Sequence, residues 1–308
     1  MSEINIDEQL VFLISQPRSG STLLQKILGA HPAIHTTSEP WLALFPLYLL
    51  RGKGVSTVFN SGLYRAGVRD FLRTLPAGED VWWQAVRLML SHLYGQALQG
   101  SGKSLFLDKT PRYYHVIPEL QRVFPNARFI LLFRNPVSVF TSILNFRPPT
   151  PDCPGFLIGN RHDLLSAPQL MLDALDALGP AAMRVQYEDL VSNPEPLVDA
   201  ICAHLNIPFL PAMIEYGKDF DGGRWMFGDQ GTVYKNSRPV PERMYQWRAT
   251  LAKSATHLEW ARTYINELGA ETIERCGYCL ETLTQELASI TPAEQGSTLT
   301  WQQAISKG

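Results

Sequence analysis

Apolar and polar positions along this chain alternate in short blocks with two different periods. Residues 11–15, Val-Phe-Leu-Ile-Ser, form a compact apolar run, with the length and branching of a buried strand. Pro17 and Gly20 then supply turn chemistry. From Thr22 to Ala30 the apolar positions Leu23, Leu24, Ile27 and Leu28 repeat at helical spacing. His31-Pro32 ends that helix, because the residue before a proline is pushed out of the helical region. The opening therefore reads strand, glycine-containing loop, helix.

The alternation continues. Arg51 to Gly102 is mainly helical, Ser104–Leu107 predicts a second strand, and His115–Phe124 predicts a helix. Arg128–Phe133, Arg-Phe-Ile-Leu-Leu-Phe, has the unbroken apolar character of a strand covered on both faces. Pro136 then sits in the first turn of a helix predicted over Val137–Leu144. The proline-rich stretch Phe146–Gly159 reads as a loop or lid. A strand at Ala182–Tyr187 falls between helices at Gln169–Leu178 and Glu195–Leu205. Gly222, Gly223, Gly228 and Gly231 mark a loop-rich region, Pro241–Leu268 is helical, and the polar tail after Ser289 has no assignable pattern. Strands alternating with helices predict an α/β fold: a central parallel sheet flanked by helices on both faces, with helical insertions and loop lids. We expect one domain over residues 1–308, with a core at 10–250 and a C-terminal helical segment and tail beyond it.

Composition narrows the function classes. The chain has 308 residues, 45% hydrophobic and 18% charged, with a net charge of −2. That balance argues against coating nucleic acid by bulk charge, yet leaves room for a small cationic pocket. The most apolar early stretch, Trp41–Leu50, is interrupted by Pro46 and is about half the roughly 20 residues a membrane span needs. The polar, acidic N-terminus does not read as a signal peptide, so a cytoplasmic, reduced protein is expected. Cys153, Cys202, Cys276 and Cys279 include one C-x-x-C pair with no second pair or histidine cluster beside it, which favours structural or free thiols over a metal site.

The segment Gln16-Pro17-Arg18-Ser19-Gly20-Ser21-Thr22 lies between the first strand and its helix. A tight turn there aims backbone N–H groups at one point and adds the helix dipole, which suits an anion. Arg18 contributes a planar donor fork, and Ser19, Ser21 and Thr22 contribute hydroxyls. A plain capped turn would use the same serines and threonine. The loop is not a Walker A motif: no lysine lies between Arg18 and Gln25, and the strand at 128–133 ends in Arg134 rather than a carboxylate. A small-molecule kinase is thereby disfavoured, and a non-catalytic adenine-nucleotide-binding module remains as a third reading.

Three segments in order carry a family resemblance: Pro-Arg-Ser-Gly-Ser-Thr at 17–22, Arg134-Asn135-Pro136 with Ser142, and Val185-Gln186-Tyr187-Glu188-Asp189-Leu190 followed by Asn193-Pro194. Together they resemble sulfotransferases that use 3′-phosphoadenosine 5′-phosphosulfate (PAPS), of the bacterial type related to tyrosylprotein sulfotransferases. The resemblance implies a P-loop-like three-layer fold. It also implies a donor held by Arg18, Ser19, Gly20, Ser21 and Thr22 at the 5′-phosphosulfate, by Arg134 and Ser142 at the 3′-phosphate, and by Tyr187 at the adenine. Arg147 is a weaker candidate for that 3′-phosphate. Lys235 and Arg238 resemble a loop that closes over the nucleotide, where Asp229 reads as structural. The product would be 3′,5′-adenosine bisphosphate (PAP).

Sulfuryl transfer needs fixed positive charge and a proton acceptor, with no obligatory metal. Arg18 and Lys109, the latter in Asp108-Lys109-Thr110-Pro111-Arg112, are the candidate catalytic cations. Glu39 is the candidate base, sheltered by Trp41, Leu42 and Leu44. Its placement resembles the glutamate of the tyrosylprotein branch. His115 is the alternative base, since other branches use histidine. His31 reads as a helix terminator, whereas His35 and His162 are not ranked. The expected acceptor is a small molecule, with the choice of hydroxyl or amine and the oligomeric state left open.

Overall fold

The computed structural model describes residues 6–51, 57–146, 157–217, 233–293 and 299–306. Five parallel strands form one sheet in the order β2-β3-β1-β4-β5. They are β1 (Leu10–Ser15), β2 (Ile34–Ser38), β3 (Leu105–Lys109), β4 (Arg128–Phe133) and β5 (Ala182–Gln186). Parallel neighbours require crossovers, and helices supply them. The helix Ser21–Gly29 joins β1 to β2, and Ala167–Leu178 lies between β4 and β5.

The apolar runs in the sequence have a direct cause. Along β1 every residue is buried, because successive side chains enter opposite cores. Phe12 and Ile14 pack with Phe106, Phe129, Leu131, Leu90 and Tyr94 on one face. Val11 and Leu13 pack with Leu107, Ile130, Leu24, Ile27 and Leu28 on the other. Each such side chain contributes about 1.5–3 kcal/mol on burial. A charge at Ile130, which is fully buried, would break both β4 and the layer above it.

A third cluster joins the C-terminal helices to Pro136–Phe146. Phe140 stacks on Tyr264 with ring centroids 5.6 Å apart and meets Trp301 edge-on. The polar tail, patternless in sequence, contains the helix Trp301–Ile305, started by a reciprocal Thr300–Gln303 capping box. Among the described residues, no helix is long and apolar enough to cross a membrane.

Several boundaries differ from expectation. The sequence pattern does not announce β2; its alternation is only Ile-His-Thr-Thr-Ser, with Ile34, Thr36 and Ser38 buried. The second predicted strand runs on to Lys109. His115 closes a 3₁₀ turn, Pro111–His115, and the following helix is confined to Ile117–Val123. The helical stretch from Pro241 is divided into a 3₁₀ turn, a short helix Gln246–Leu251 and Ala255–Leu268. Cys202, Cys276 and Cys279 are free thiols, while Cys153 lies outside the described residues.

Candidate active site

All five strands deliver a candidate residue at their carboxyl ends. Lys109 is the last residue of β3, whereas Glu39, Arg134 and Tyr187 directly follow β2, β4 and β5, and Arg18 lies in the loop after β1. This is the edge at which open α/β sheets collect ligands.

The loop after β1 turns through two left-handed residues, Arg18 with φ 71° and Gly20 with φ 95°. At Gly20 glycine is required twice over. The positive φ penalises a side chain, and a Cβ would fall 2.4 Å from Cδ2 of Tyr187. The turn therefore presses its backbone against the Tyr187 ring. Arg134 covers that ring, with its guanidinium carbon 4.1 Å from the centroid, and Nη1 donates to the Arg18 carbonyl at 2.9 Å. Arg18 Nε donates to Ser142 Oγ at 3.3 Å, and its guanidinium lies 4.6 Å from the Phe146 ring. Arg18, Gly20, Arg134, Ser142 and Tyr187, which span most of the chain in sequence, thus form one body.

Among the described residues, Ser19 Oγ and Arg134 Nε in this body are buried without a hydrogen-bond partner. A buried polar atom left unpaired is costly. Their position beside a left-handed turn and a paired guanidinium fits a bound anionic group.

Next to this cradle, Lys109 Nζ donates to Glu39 Oε1 at 3.0 Å, with the lysine side chain 0% and the glutamate 17% exposed. Burial lowers the Lys109 pKa; Glu39 and Asp108 oppose the fall, and the nearby Arg18 charge adds to it. That influence places Arg18 and Lys109 in one electrostatic site. Of the apolar neighbours expected to shelter Glu39, Leu42 lies at the surface, while Trp41 and Leu44 are half-buried.

His115 sits among aromatic rings. Its ring packs on Tyr114 at 4.2 Å and meets Tyr48 and His162 at 6.0 and 6.1 Å. Burial lowers its pKa to about 4, with Asp163 opposing and His162, Arg112 and Arg51 adding to the fall. Among the described residues none of these contacts is with Glu39 or Lys109. His31 is structural: Nδ1 accepts from the Ala33 N–H, and Nε2 lies 3.1 Å from the Pro208 carbonyl.

Lys235 is exposed, and Arg238, 60% exposed, faces Glu195 at 3.8 Å. Neither contacts the phosphate-type loop among the described residues. Arg147 and Asp229 lie outside them.

A second layer carries little signal in the sequence. Arg112 grips Asp163 with Nε and Nη2, Tyr114 donates to the same carboxylate at 2.7 Å, and Gln16 donates to the Asp163 carbonyl at 2.9 Å. Asp163 lies on a π-helical turn, His162–Ser166, a feature frequent at functional sites. Arg112 is visible beside Lys109 in sequence; Asp163 has no local signal. Among the described residues no group of three or more His, Cys, Asp or Glu side chains is arranged to hold a metal ion.

The sequence profile described as the sulfotransferase family matches residues 10–211. The chain belongs to the sulfotransferase family. It is 28% identical over 291 residues to the nodulation protein NoeE of Sinorhizobium fredii, covering 87% of this chain and 66% of that protein. It is 26% identical over 216 residues to protein-tyrosine sulfotransferase 1 of Danio rerio, covering 69% of this chain and 57% of that one. The chain thus spans less than two thirds of the length of these two relatives. Among solved structures it resembles the sulfotransferase domain from the Synechococcus PCC 7002 olefin synthase. That match has a TM-score of 0.58 and 25% identity over 89% of this chain and 94% of that domain.

Proposed function

We propose that this chain moves the sulfuryl group of PAPS to a hydroxyl, or an amine, of a small-molecule acceptor. The observation that carries the reading is the joining of two anion-binding arginines around one glycine turn, with a buried Lys109–Glu39 pair at the same sheet edge. PAPS is charged at both ends of its adenosine unit. Arg18 with Ser19, Gly20, Ser21 and Thr22 would hold the 5′-phosphosulfate, and Arg134 with Ser142 the 3′-phosphate. Tyr187 would border the adenine.

In the transfer, the acceptor oxygen attacks sulfur in line as the bond from sulfur to the 5′-phosphate oxygen breaks. The acceptor proton passes to Glu39, and the negative charge gathering on the leaving phosphate is met by Arg18 and Lys109. The ion pair also holds the Lys109 ammonium and the Glu39 carboxylate at one point beside the loop. Lys109, fully buried, is a fixed charge rather than a solvated one, which raises its electrostatic effect. These cations belong to the protein, so the proposed chemistry is metal-independent.

A small biosynthetic metabolite is favoured as acceptor by the likeness to an olefin synthase domain. The tyrosine-sulfating relatives make a peptide acceptor the competing outcome. Incubation of the protein with PAPS and a metabolite library, read by mass spectrometry for a gain of one SO₃, tests the proposal. A matching set with tyrosine-containing peptides separates the acceptor classes. Stabilisation by Mg·ATP but not by PAP would overturn the donor assignment.

A further inference from the structure

The segment that carries Glu39 is unusual in its backbone. Glu39 and Trp41 both have positive φ, 52° and 58°, although neither is glycine. Such geometry is costly and persists only where the surroundings enforce it. The enforcement is on β3. At the front of the segment the Glu39 N–H donates to the Lys109 carbonyl at 2.8 Å. At the back, the Ala43 N–H donates to the Tyr113 hydroxyl at 3.0 Å, and that hydroxyl donates to Asp108 Oδ2 at 3.1 Å. Both ends of the segment are therefore tied to consecutive residues, Asp108 and Lys109.

The direction of these bonds matters. A phenol has one proton. Because Tyr113 spends it on Asp108, the hydroxyl turns a lone pair toward Ala43. Asp108 is held in turn by the Tyr94 hydroxyl at 2.7 Å on Oδ2 and by Thr110 Oγ1 at 2.7 Å on Oδ1. Tyr94 and Tyr113 are fully buried and Asp108 nearly so, beside Phe12 and Phe106. An apolar side chain would fill this layer at lower desolvation cost. What the carboxylate adds is orientation.

We propose that Tyr113, oriented by Asp108, is a positioning residue: it clamps the Glu39–Ala43 segment in its left-handed path so that the Glu39 carboxylate meets Lys109. The inference deepens the sulfotransferase reading and rests on Glu39 as its base.

The test uses Tyr113→Phe, which keeps the ring in its aromatic cluster and removes only the hydroxyl, with Asp108→Asn as a second variant. Amide hydrogen exchange needs no acceptor. Exchange across residues 39–43 should rise about tenfold in Tyr113→Phe, the equivalent of one lost hydrogen bond. PAP affinity, measured by calorimetry, should stay within about twofold, since the arginine cradle is untouched. PAPS turnover with water as acceptor should fall about 10–100-fold at unchanged KM for PAPS. In a Glu39→Gln background the same change should cost little more, because Tyr113 acts through Glu39.

Unaltered exchange over 39–43, or a loss that adds fully to that of Glu39→Gln, overturns the clamp. Wild-type turnover in Glu39→Gln would instead remove the base, and the clamp's catalytic role with it. A defect in Glu39→Gln beside normal Tyr113→Phe turnover removes the clamp alone.

Discussion

Replacing Gly20 by alanine is the sharpest probe of the proposed donor cradle. The added methyl meets two separate penalties. First, φ of 95° is a region that a Cβ disfavours, at a cost of about 1–2 kcal/mol. Second, the new carbon falls 2.4 and 2.6 Å from Cδ2 and Cε2 of Tyr187. Ordinary carbon contacts lie near 3.5–4.0 Å, so the ring must retreat by roughly 1 Å. Tyr187 has little room to do so, being 4% exposed and capped by the Arg134 guanidinium. Overpacking of this kind costs about 1–3 kcal/mol. The total is about 2–5 kcal/mol, at the high end for a single substitution. Urea denaturation reads the stability, and calorimetric titration with PAP reads the cradle. Both should fall, since Arg134 moves with the ring. Gly67→Ala is the control: it lies in the helix Ser61–Arg73 with nothing within 4 Å of the new Cβ, and should stabilise by a few tenths to about 1 kcal/mol. A Gly20→Ala protein within about 0.5 kcal/mol of the parent would show that the close approach to Tyr187 does not constrain the loop.

Other expectations follow from the same geometry. Arg134→Ala should weaken PAP binding by about 1.5–3 kcal/mol, the range for a charge-assisted hydrogen bond; an unchanged titration removes Arg134 from the site. Glu39→Gln should lower turnover by roughly 10²–10⁴-fold with donor affinity preserved, and normal turnover there beside collapse in His115→Asn would move the base to His115. Transfer should persist in chelator, and a loss restored by magnesium or zinc would defeat the fixed-cation mechanism. Burial raises the Asp108 pKa from 3.8 to about 6, against the pull of its hydroxyl partners and Lys109. The folded state therefore holds that proton more tightly than the unfolded one. The associated stability is complete below about pH 4 and lost as pH rises through about 6, a difference of about 3 kcal/mol. Denaturation curves from pH 4 to 7 should show the parent losing that much more than Asp108→Asn; parallel curves would contradict it.

Part of this protein is legible in its residues alone. Strands buried on both faces, as at 128–133, announce themselves because both cores demand apolar side chains. The loop at 16–22 and the Arg134 turn are legible because a glycine turn with an arginine at a strand-to-helix junction is a restricted composition, the one expected where an anion is to be held. The edge strand β2 is not, because His35 and Thr37, only partly buried, dilute its apolar signal. Without that strand, Glu39 has no structural address.

Local chemistry in the sequence thus determined which residues are candidates for holding an anion, which runs must be strands, and that helices must cover them. Tertiary structure alone decided which of those residues meet. Arg18 and Arg134 touch because β1 and β4 are paired in register, and Lys109 meets Glu39 because β2 lies beside β3. The proposed clamp on the Glu39 segment joins Ala43, Tyr94 and the stretch carrying Asp108 and Tyr113, three separate pieces of chain. Its reason is physical: a left-handed backbone at Glu39 and Trp41 opposes local preference, so only contacts from distant elements can hold it.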